Sequence, residues 1–338
     1  MKPISVLLTI ILLSILFFGC QSETSNIDQN HKLTIYTSLY PINYLVNRIG
    51  AETAVTKSVL PPGVDAHAFE PTIKAITHLA RSDAFIYMGK GMEGFTENIA
   101  NALELQDIKL LALGEYEELF HGIRHSHDGD VFQAVKQQHT DKNKETNQTN
   151  LNQIDPFGHE GHNHSGEDPH VWIDPLRMIE MGHIIASFLI ELNPTNKDSY
   201  ITNFNSLKEE LLKLDKLFVN TLDSKINKKI LVSHAAYGYW EERYGIEQIS
   251  INGISSSSEP SQKDLVDIIE QANTSNLHYI ILEQNTKNNV SEIIQEYIDA
   301  ELLNIHNLSV LTDKDIHNHE DYFSLMKKNL NVLDKATK

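Results

Sequence analysis

Residues 33–50 read LTIYTSLYPINYLVNRIG, a strand-like run followed by a helix-like run. Apolar and polar residues alternate in the first part, as they do in a half-buried strand. After the proline, apolar residues recur at helical spacing as far as Gly50, at Ile42, Leu45, Val46 and Ile49. This strand–helix unit repeats along the chain. Such alternation predicts a mostly parallel β-sheet with helices on both faces.

The units fall into two sets, one on each side of a long helical stretch. The first set predicts strands at 33–38, 54–60, 84–88 and 108–113, and helices at 42–50, 72–80 and 95–105. The second predicts strands at 230–233, 248–251, 279–282 and about 305–311, and helices at 237–244, 261–273, 290–300 and 320–333. The expected fold is therefore α/β, with two lobes that each contain a mostly parallel sheet flanked by helices. Ligands of such folds lie beyond the carboxyl ends of strands, so a ligand is expected in the cleft between the lobes.

Residues 195–224 carry apolar side chains at near-heptad spacing, which predicts one long helix that joins the lobes. The alternative is a surface for a coiled-coil or domain-swapped partner. The expected organisation is a signal peptide (1–19), a lipid-anchored tether (20–31), an N-terminal lobe (32–192), the connecting helix (193–226) and a C-terminal lobe (227–338).

The formal net charge of −18 argues against a nucleic-acid partner, because phosphates require a basic surface. Acidity together with 17 histidines favours cations as partners. The chain has a single cysteine, which excludes disulfides and thiolate metal sites within it.

Residues 1–20 have one cation, Lys2, before an apolar run that is too short to span a bilayer comfortably and that ends at Cys20. This segment resembles bacterial lipoprotein signals, in which the cysteine receives lipid and becomes the mature N-terminus. Phe17 and Phe18 depart from that pattern, and the alternative is an ordinary secretory signal. The polar stretch 21–31 suits a flexible tether.

Three histidines occupy predicted loops of the kind that carry ligand-binding residues. His67 follows the second strand, His234 ends the strand 230–233, and His170 lies in an extended turn flanked by carboxylates that could orient its ring. Taken singly, each could be a structural histidine. If the three converge, imidazole nitrogen suits Zn²⁺ better than Mn²⁺ or Mg²⁺, which favour carboxylate oxygen.

Residues 121–166 form a low-complexity insert that is expected to be disordered, since its composition cannot build a core. Its histidines predict either an auxiliary zinc collector or a solvated spacer, and they are His121, His125, His127, His139, His159, His162 and His164.

Three stretches, 63–71 (GVDAHAFEP), 168–175 (DPHVWIDP) and 232–239 (VSHAAYGY), resemble the signature segments of the zinc- and manganese-binding solute receptors of bacterial ABC importers. The resemblance covers nearly the whole chain and implies that His67, His170 and His234 bind the metal in the cleft. The manganese branch commonly has a carboxylate at the third position, so His234 resembles the zinc branch. It also implies a lipoprotein on the outer face of the cell membrane, a monomer that delivers Zn²⁺ to an ABC-type membrane permease and is not an enzyme.

The family often supplies a fourth, carboxylate ligand from the segment before the last helix, where this chain carries Ser309. A serine hydroxyl is a poor zinc ligand, so we expect water or chloride in the fourth position. The neighbouring alternatives are Asp313, His306 and Glu283.

Other functions that fit this pattern are a manganese or iron receptor of the same family, a surface adhesin and a zinc hydrolase. A catalytic zinc also needs three protein ligands and an open position. The sequence has no His-Glu-x-x-His helix and no Gly-x-Ser-x-Gly elbow, which argues against the hydrolase.

Overall fold

Two parallel four-stranded sheets with the same strand order form the framework of the molecule. The computed structural model describes residues 32–104, 106–121, 167–255, 260–284 and 289–338. The predicted signal peptide (1–19), the lipidation site Cys20, the tether (20–31) and, apart from His121, the insert (121–166) lie outside the described residues. Leu33–Lys338 form one compact unit.

The N-terminal sheet has the order β2-β1-β3-β4. Its strands are joined by helices because each carries an apolar face that must be covered. In chain order the elements are β1 (Leu33–Thr37), α1 (Tyr40–Gly50), β2 (Ala54–Ser58), α2 (Ile73–Leu79), β3 (Ala84–Tyr87), α3 (Thr96–Leu103) and β4 (Lys109–Ala112).

Two long helices follow, α4 (Pro175–Leu192) and α5 (Lys197–Leu222), joined by a 3₁₀ turn at Pro194–Asn196. Asp174 caps α4 by accepting a hydrogen bond from Leu176 N (2.9 Å). At Gly182 of α4, an added Cβ would lie 3.3 Å from Phe204 of α5 and 3.5 Å from Leu45 of α1, so three helices converge there. The predicted long connecting helix is confirmed as α5. Among the described helices, none is both long and apolar enough to span a bilayer.

The C-terminal sheet has the order β6-β5-β7-β8. The elements are β5 (Lys229–His234), α6 (Gly238–Tyr244), β6 (Glu247–Asn252), α7 (Gln262–Thr274), β7 (Tyr279–Glu283), α8 (Asn289–Ile298), β8 (Glu301–Ile305), α9 (Asp313–His317) and α10 (Tyr322–Ala336). The predicted α/β fold with two parallel sheets and a connecting helix is confirmed.

The strand order places a topological switch point in each sheet, between β1 and β3 and between β5 and β7. At such a point the connections leave the sheet in opposite directions, and a crevice opens beyond the carboxyl ends of the two strands. In the C-terminal sheet β5 ends at His234 and β7 ends at Glu283, so both side chains lie at this crevice.

One hydrophobic core runs from the N-terminal sheet through α4 and α5 to α6 and α10. Trp172 and Trp240 are among its largest fully buried side chains. A smaller core covers the other face of the C-terminal sheet beneath α7 and α8. Because the larger core is continuous through the connecting helices, we expect little freedom for the lobes to move apart.

The last strand was predicted in the wrong place. The structure has β8 at Glu301–Ile305, where we predicted a strand at about 305–311. Residues 306–311 alternate like a strand, but Leu308 has a left-handed backbone (φ 64°) and its N–H donates to His306 Nδ1 (2.9 Å). A side chain therefore takes the place of a ladder partner, and the chain turns away from the sheet. The short helix α9 was not predicted.

Candidate metal centre

His67 lies in the loop between β2 and α2 and is half-buried. The loop turns at Gly63, which has a positive φ of 71° and whose N–H donates to Leu311 O (2.9 Å). Asp65 Oδ1 accepts a hydrogen bond from His67 N (2.9 Å). This Asx-type turn sets the direction in which the His67 ring leaves the loop.

His170 is buried in the segment that leads into the 3₁₀ turn Val171–Ile173. Asp168 Oδ1 accepts hydrogen bonds from His170 N (3.0 Å) and from its ring Nδ1 (2.7 Å). The carboxylate has room because residue 238 is glycine, where an added Cβ would lie 2.9 Å from Asp168 Oδ2. With its proton on Nδ1, the ring presents the Nε2 lone pair to a ligand.

The segment that carries His170 is fixed against the C-terminal elements, although it precedes them in the chain. Four side chains bond backbone carbonyl groups across this boundary, from Tyr239 to Asp168 (2.5 Å), Trp240 to Ile173 (2.7 Å), Tyr322 to Trp172 (2.8 Å) and Trp172 to Asn307 (2.8 Å). Buried aromatic side chains with satisfied polar groups make a rigid support. His170 is therefore held in place mainly by the C-terminal half.

His234 is the last residue of β5 and is buried. Its ring Nδ1 lies 2.7 Å from Glu283 Oε1 at the end of β7. The carboxylate therefore attracts this ring electrostatically. As with His170, a carboxylate stands at Nδ1 and Nε2 faces the other histidines.

The structure brings the three predicted histidines together. The Nε2 atom of His170 lies 3.4 Å from that of His67 and 3.5 Å from that of His234. The three rings each offer one nitrogen, and these nitrogens all lie within 4.8 Å of one another. Two nitrogens bound to one tetrahedral zinc at about 2.0–2.1 Å would be about 3.3–3.4 Å apart. The spacing therefore suits three imidazoles around one small cation.

The charges around these rings differ from one histidine to the next. Burial, reinforced by the nearby His170, lowers the pKa of His67 to about 4. Burial acts in the same direction on His234, but Glu283 outweighs it and raises the pKa of that ring. For Glu283, burial is outweighed in turn by His234 and by hydrogen bonds, which lower its pKa. At neutral pH this centre therefore holds an anionic Glu283 and a neutral His67.

Among the described residues, no aspartate, glutamate or cysteine joins the three histidines as a fourth ligand. Ser309 Oγ donates to Asn307 Oδ1 (2.8 Å), and His306 Nε2 lies 3.2 Å from Asp315 Oδ2. Glu283, one of the alternatives for the fourth ligand, lies on the Nδ1 side of His234, away from the nitrogen that faces the other rings. An open fourth position near Ser309 remains a prediction.

A second cluster of metal-binding residue types lies where the insert leaves and re-enters the described chain. His121 Nε2 lies 3.2 Å from Glu117 Oε2 and 3.8 Å from Glu167 Oε1. Lys90 Nζ pairs with both carboxylates, at 3.4 Å from Glu117 Oε1 and in closer contact with Glu167. An ammonium group therefore already pairs with both carboxylates of this exposed cluster.

Sequence reasoning found the three histidines but missed the roles of Glu283, Tyr237 and Asn307. Glu283 ends a strand just as His234 does, and that was the available signal. Its meaning depends on β5 and β7 being neighbours, which the sequence does not state.

The comparison with protein families gives one match that covers almost the whole described chain. The family described as ZnuA, zinc-uptake complex component A, periplasmic, matches residues 35–336. The chain belongs to this family. Its members are periplasmic, and the match spans both sheets and all three histidines.

Individual relatives have similar names. The zinc-binding protein AdcA of Streptococcus pyogenes is 28% identical over 332 residues, which are 98% of this chain and 61% of that protein. The high-affinity zinc uptake system protein ZnuA of Bacillus subtilis is 25% identical over 302 residues, covering 89% of this chain and 86% of that protein. The chain thus spans about three fifths of the AdcA relatives' length.

The fold is also that of a solved structure. The crystal structure of the Zn(II)-bound ZnuA-like domain of Streptococcus pneumoniae AdcA superposes with a TM-score of 0.67 at 24% identity, covering 90% of this chain and 99% of that one. At this identity the likeness bears on the fold, and it agrees with the two-sheet architecture.

Proposed function

We propose that this protein captures Zn²⁺ outside the cytoplasm and delivers it to an ABC-type membrane permease. The observation that carries the proposal is the meeting of His67, His170 and His234, with ring nitrogens 3.4 and 3.5 Å apart. Membership of a zinc-uptake family and the names of the relatives support the same function.

The ligand type favours zinc over manganese. Three imidazoles offer borderline-soft nitrogen, whereas Mn²⁺ prefers carboxylate and water oxygen. The nearest carboxylates, Asp168 and Glu283, contact the Nδ1 atoms and so act on the rings instead of on the ion. Water or chloride would complete the coordination.

The protein performs no chemical step in this proposal. Zinc binds as cargo to neutral imidazoles, the loaded form docks on the permease, and the permease assists release because three nitrogen ligands let go of zinc slowly. The chain acts as a monomer held to the outer face of the cell membrane through lipid on Cys20. The insert at 121–166 serves either as a weak zinc collector or as a spacer.

The test is zinc content per chain after purification without added metal, for the wild type, for His170→Ala and for a variant with residues 122–166 replaced by a short linker. We expect one tightly held zinc that is lost in His170→Ala and kept in the deletion. Loss of zinc on deletion alone would place the principal site in the insert. Steady hydrolysis of an ester or peptide by the zinc-loaded protein would favour the hydrolase instead.

A further inference from the structure

The carboxylate of Glu283 is buried at the switch point of the C-terminal sheet, with 5% of the residue exposed. β7 ends at this residue, and the neighbouring parallel strand β5 ends at His234. A buried charge is retained only where polar partners replace the lost water. The partners of this carboxylate therefore indicate its role.

Three groups surround the Glu283 carboxylate. Tyr237 OH donates to Oε1 (2.8 Å), Asn307 Nδ2 donates to Oε2 (2.7 Å), and His234 Nδ1 lies 2.7 Å from Oε1. Held on both oxygens, the group is not free to swing round His234 and become a metal ligand. Its negative charge stays directly behind the ring.

Asn307 is itself fixed by several contacts. Its Oδ1 accepts hydrogen bonds from Gln284 Nε2 (2.7 Å), from Ser309 N (3.0 Å) and from Ser309 Oγ (2.8 Å). The amide therefore has only one orientation in which all donors and acceptors match, with Nδ2 toward Glu283. This arrangement requires an acceptor at Glu283 Oε2.

Asn307 also connects the two buried histidines. Its backbone carbonyl accepts a hydrogen bond from Trp172 Nε1 (2.8 Å). The Trp172 ring packs edge-on against His170, with ring centroids 5.3 Å apart. One residue thus supports the carboxylate behind His234 and the aromatic ring beside His170.

We propose that Glu283, held by Tyr237 and Asn307, is a positioning residue for the zinc site, which keeps the ring proton of His234 on Nδ1 and its Nε2 lone pair toward the metal. The part of this proposal that concerns zinc affinity rests on the proposed function. The part that concerns the ring proton can be tested in metal-free protein. Carboxylates behind ligating histidines change metal affinity by about 10- to 100-fold.

The experiment is Glu283→Gln, which keeps the size of the side chain and removes its charge. In the metal-free wild type, at a pH where the ring is neutral, nitrogen NMR of His234 should show the proton on Nδ1, and in the variant the two tautomers should mix. Zinc affinity, measured by competition with a chelator, should fall by about 10- to 100-fold. Glu270→Gln on the exposed face of α7 is the matched control and should change neither measurement.

Tyr237→Phe removes one hydrogen bond and leaves the charge in place, so its loss of affinity should be smaller than that of Glu283→Gln. Should Glu283→Gln not fold, Asn307→Ser decides the question, because it releases one carboxylate oxygen while the charge remains. A shifted His234 tautomer with weaker zinc binding supports the proposal. An unchanged tautomer and unchanged affinity in the folded variant overturn it.

The outcomes separate this inference from the proposed function. If the wild type binds no zinc, the proposed function fails, yet the tautomer of His234 still tests the role of Glu283. If the wild type binds zinc and Glu283→Gln binds it equally well with the same tautomer, the proposed function stands and the positioning role fails.

Discussion

The two sheets each bury a glutamate at the switch point, and the two carboxyl groups respond in opposite ways. Glu93 in the N-terminal half accepts hydrogen bonds from Ser38 Oγ, from Gly89 N (2.9 Å) and from Met88 N (3.3 Å). Burial outweighs these neutral donors and raises the pKa of Glu93 to about 7. Glu283 is equally buried, but its pKa is lowered because His234 stands beside it.

The difference shows that burial alone does not set the charge of a carboxyl group. A neighbouring titratable group, here His234, also decides whether a buried carboxyl group is charged, because it can take up the proton. In the N-terminal half the glutamate closes the end of the sheet and fixes the turn at residues 88–93. In the C-terminal half it lies behind a histidine that faces the candidate metal centre. The carboxyl edge of the C-terminal sheet therefore carries the buried negative charge, that of Glu283, which favours a bound cation.

The largest expected effect on zinc affinity comes from removing His234, the imidazole beside Glu283. His234→Ala should weaken zinc binding by a factor above about 100, because each nitrogen ligand contributes about 3 kcal/mol or more to a zinc site. Chelator competition measures it. His67→Ala should cost less, since His67 is half-buried in a loop, whereas His234 is buried at the end of a strand.

The control for this comparison is His278→Ala, an exposed histidine of the C-terminal half whose loss should leave affinity unchanged. Equal losses of zinc affinity for His67→Ala and His234→Ala would mean that the Glu283 carboxylate behind the His234 ring does not contribute to zinc binding. If both variants lose less than tenfold in zinc affinity, the three histidines are not the principal zinc site.

The next effect concerns Glu93 and stability. Since its pKa rises from 4.5 to about 7 on folding, the native state binds more protons than the unfolded state between these values. Stability that is present at low pH is therefore lost as pH rises through about 7, by about 3 kcal/mol. In Glu93→Gln this dependence should disappear.

Urea unfolding of metal-free protein across this pH range measures the prediction, as the difference between wild type and Glu93→Gln. Subtraction cancels the titration of all other groups. A difference that stays constant with pH would show that Glu93 ionises normally and that the contrast with Glu283 is absent.

A smaller effect is expected at Ser309. Its hydroxyl already donates to Asn307 Oδ1, so Ser309→Ala should change zinc affinity by less than about threefold, while stability falls by about 1 kcal/mol for the lost buried hydrogen bond. Zinc titration and thermal unfolding measure the two quantities. A tenfold or greater loss of affinity, with the His234 tautomer unchanged in the metal-free variant, would identify the hydroxyl as a ligand.

The smallest effect is expected where the carboxylates are exposed. Lys90→Met removes the cation that pairs with Glu117 and Glu167, yet exposed ion pairs contribute only about 0–1 kcal/mol. Chemical unfolding should show a change within that range, and zinc affinity should not move. A loss of several kcal/mol in the free energy of unfolding would mean that the ion pairs of Lys90 stabilise the fold as strongly as buried polar groups do.

Much of this architecture follows from local patterns in the sequence. Strand–helix alternation predicted both sheets, and the apolar spacing in residues 195–224 predicted α5, because a single periodic face decides such elements. His67 and His234 were found because they follow strands, where side chains meet at one edge of a sheet, and His170 was found from its extended turn flanked by carboxylates.

What the sequence could not supply is the pairing of distant residues. Tyr322 and Trp172, which form one of the bonds that fix the His170 segment, are 150 positions apart. The contact between Glu283 and His234 depends on the strand order of the sheet. The misplaced last strand has a different, local origin, since Leu308 N–H donates to the His306 side chain two residues earlier and so ends an otherwise strand-like pattern.

The chain leaves the described fold at His121 and returns at Glu167, and these two residues face each other at 3.8 Å. Beyond Glu167 the chain is fixed by four hydrogen bonds to the C-terminal half, so the place of His170 does not depend on how many residues intervene. Closely spaced ends at the surface tolerate insertions. A fluorescent protein could be grafted between them without moving His170.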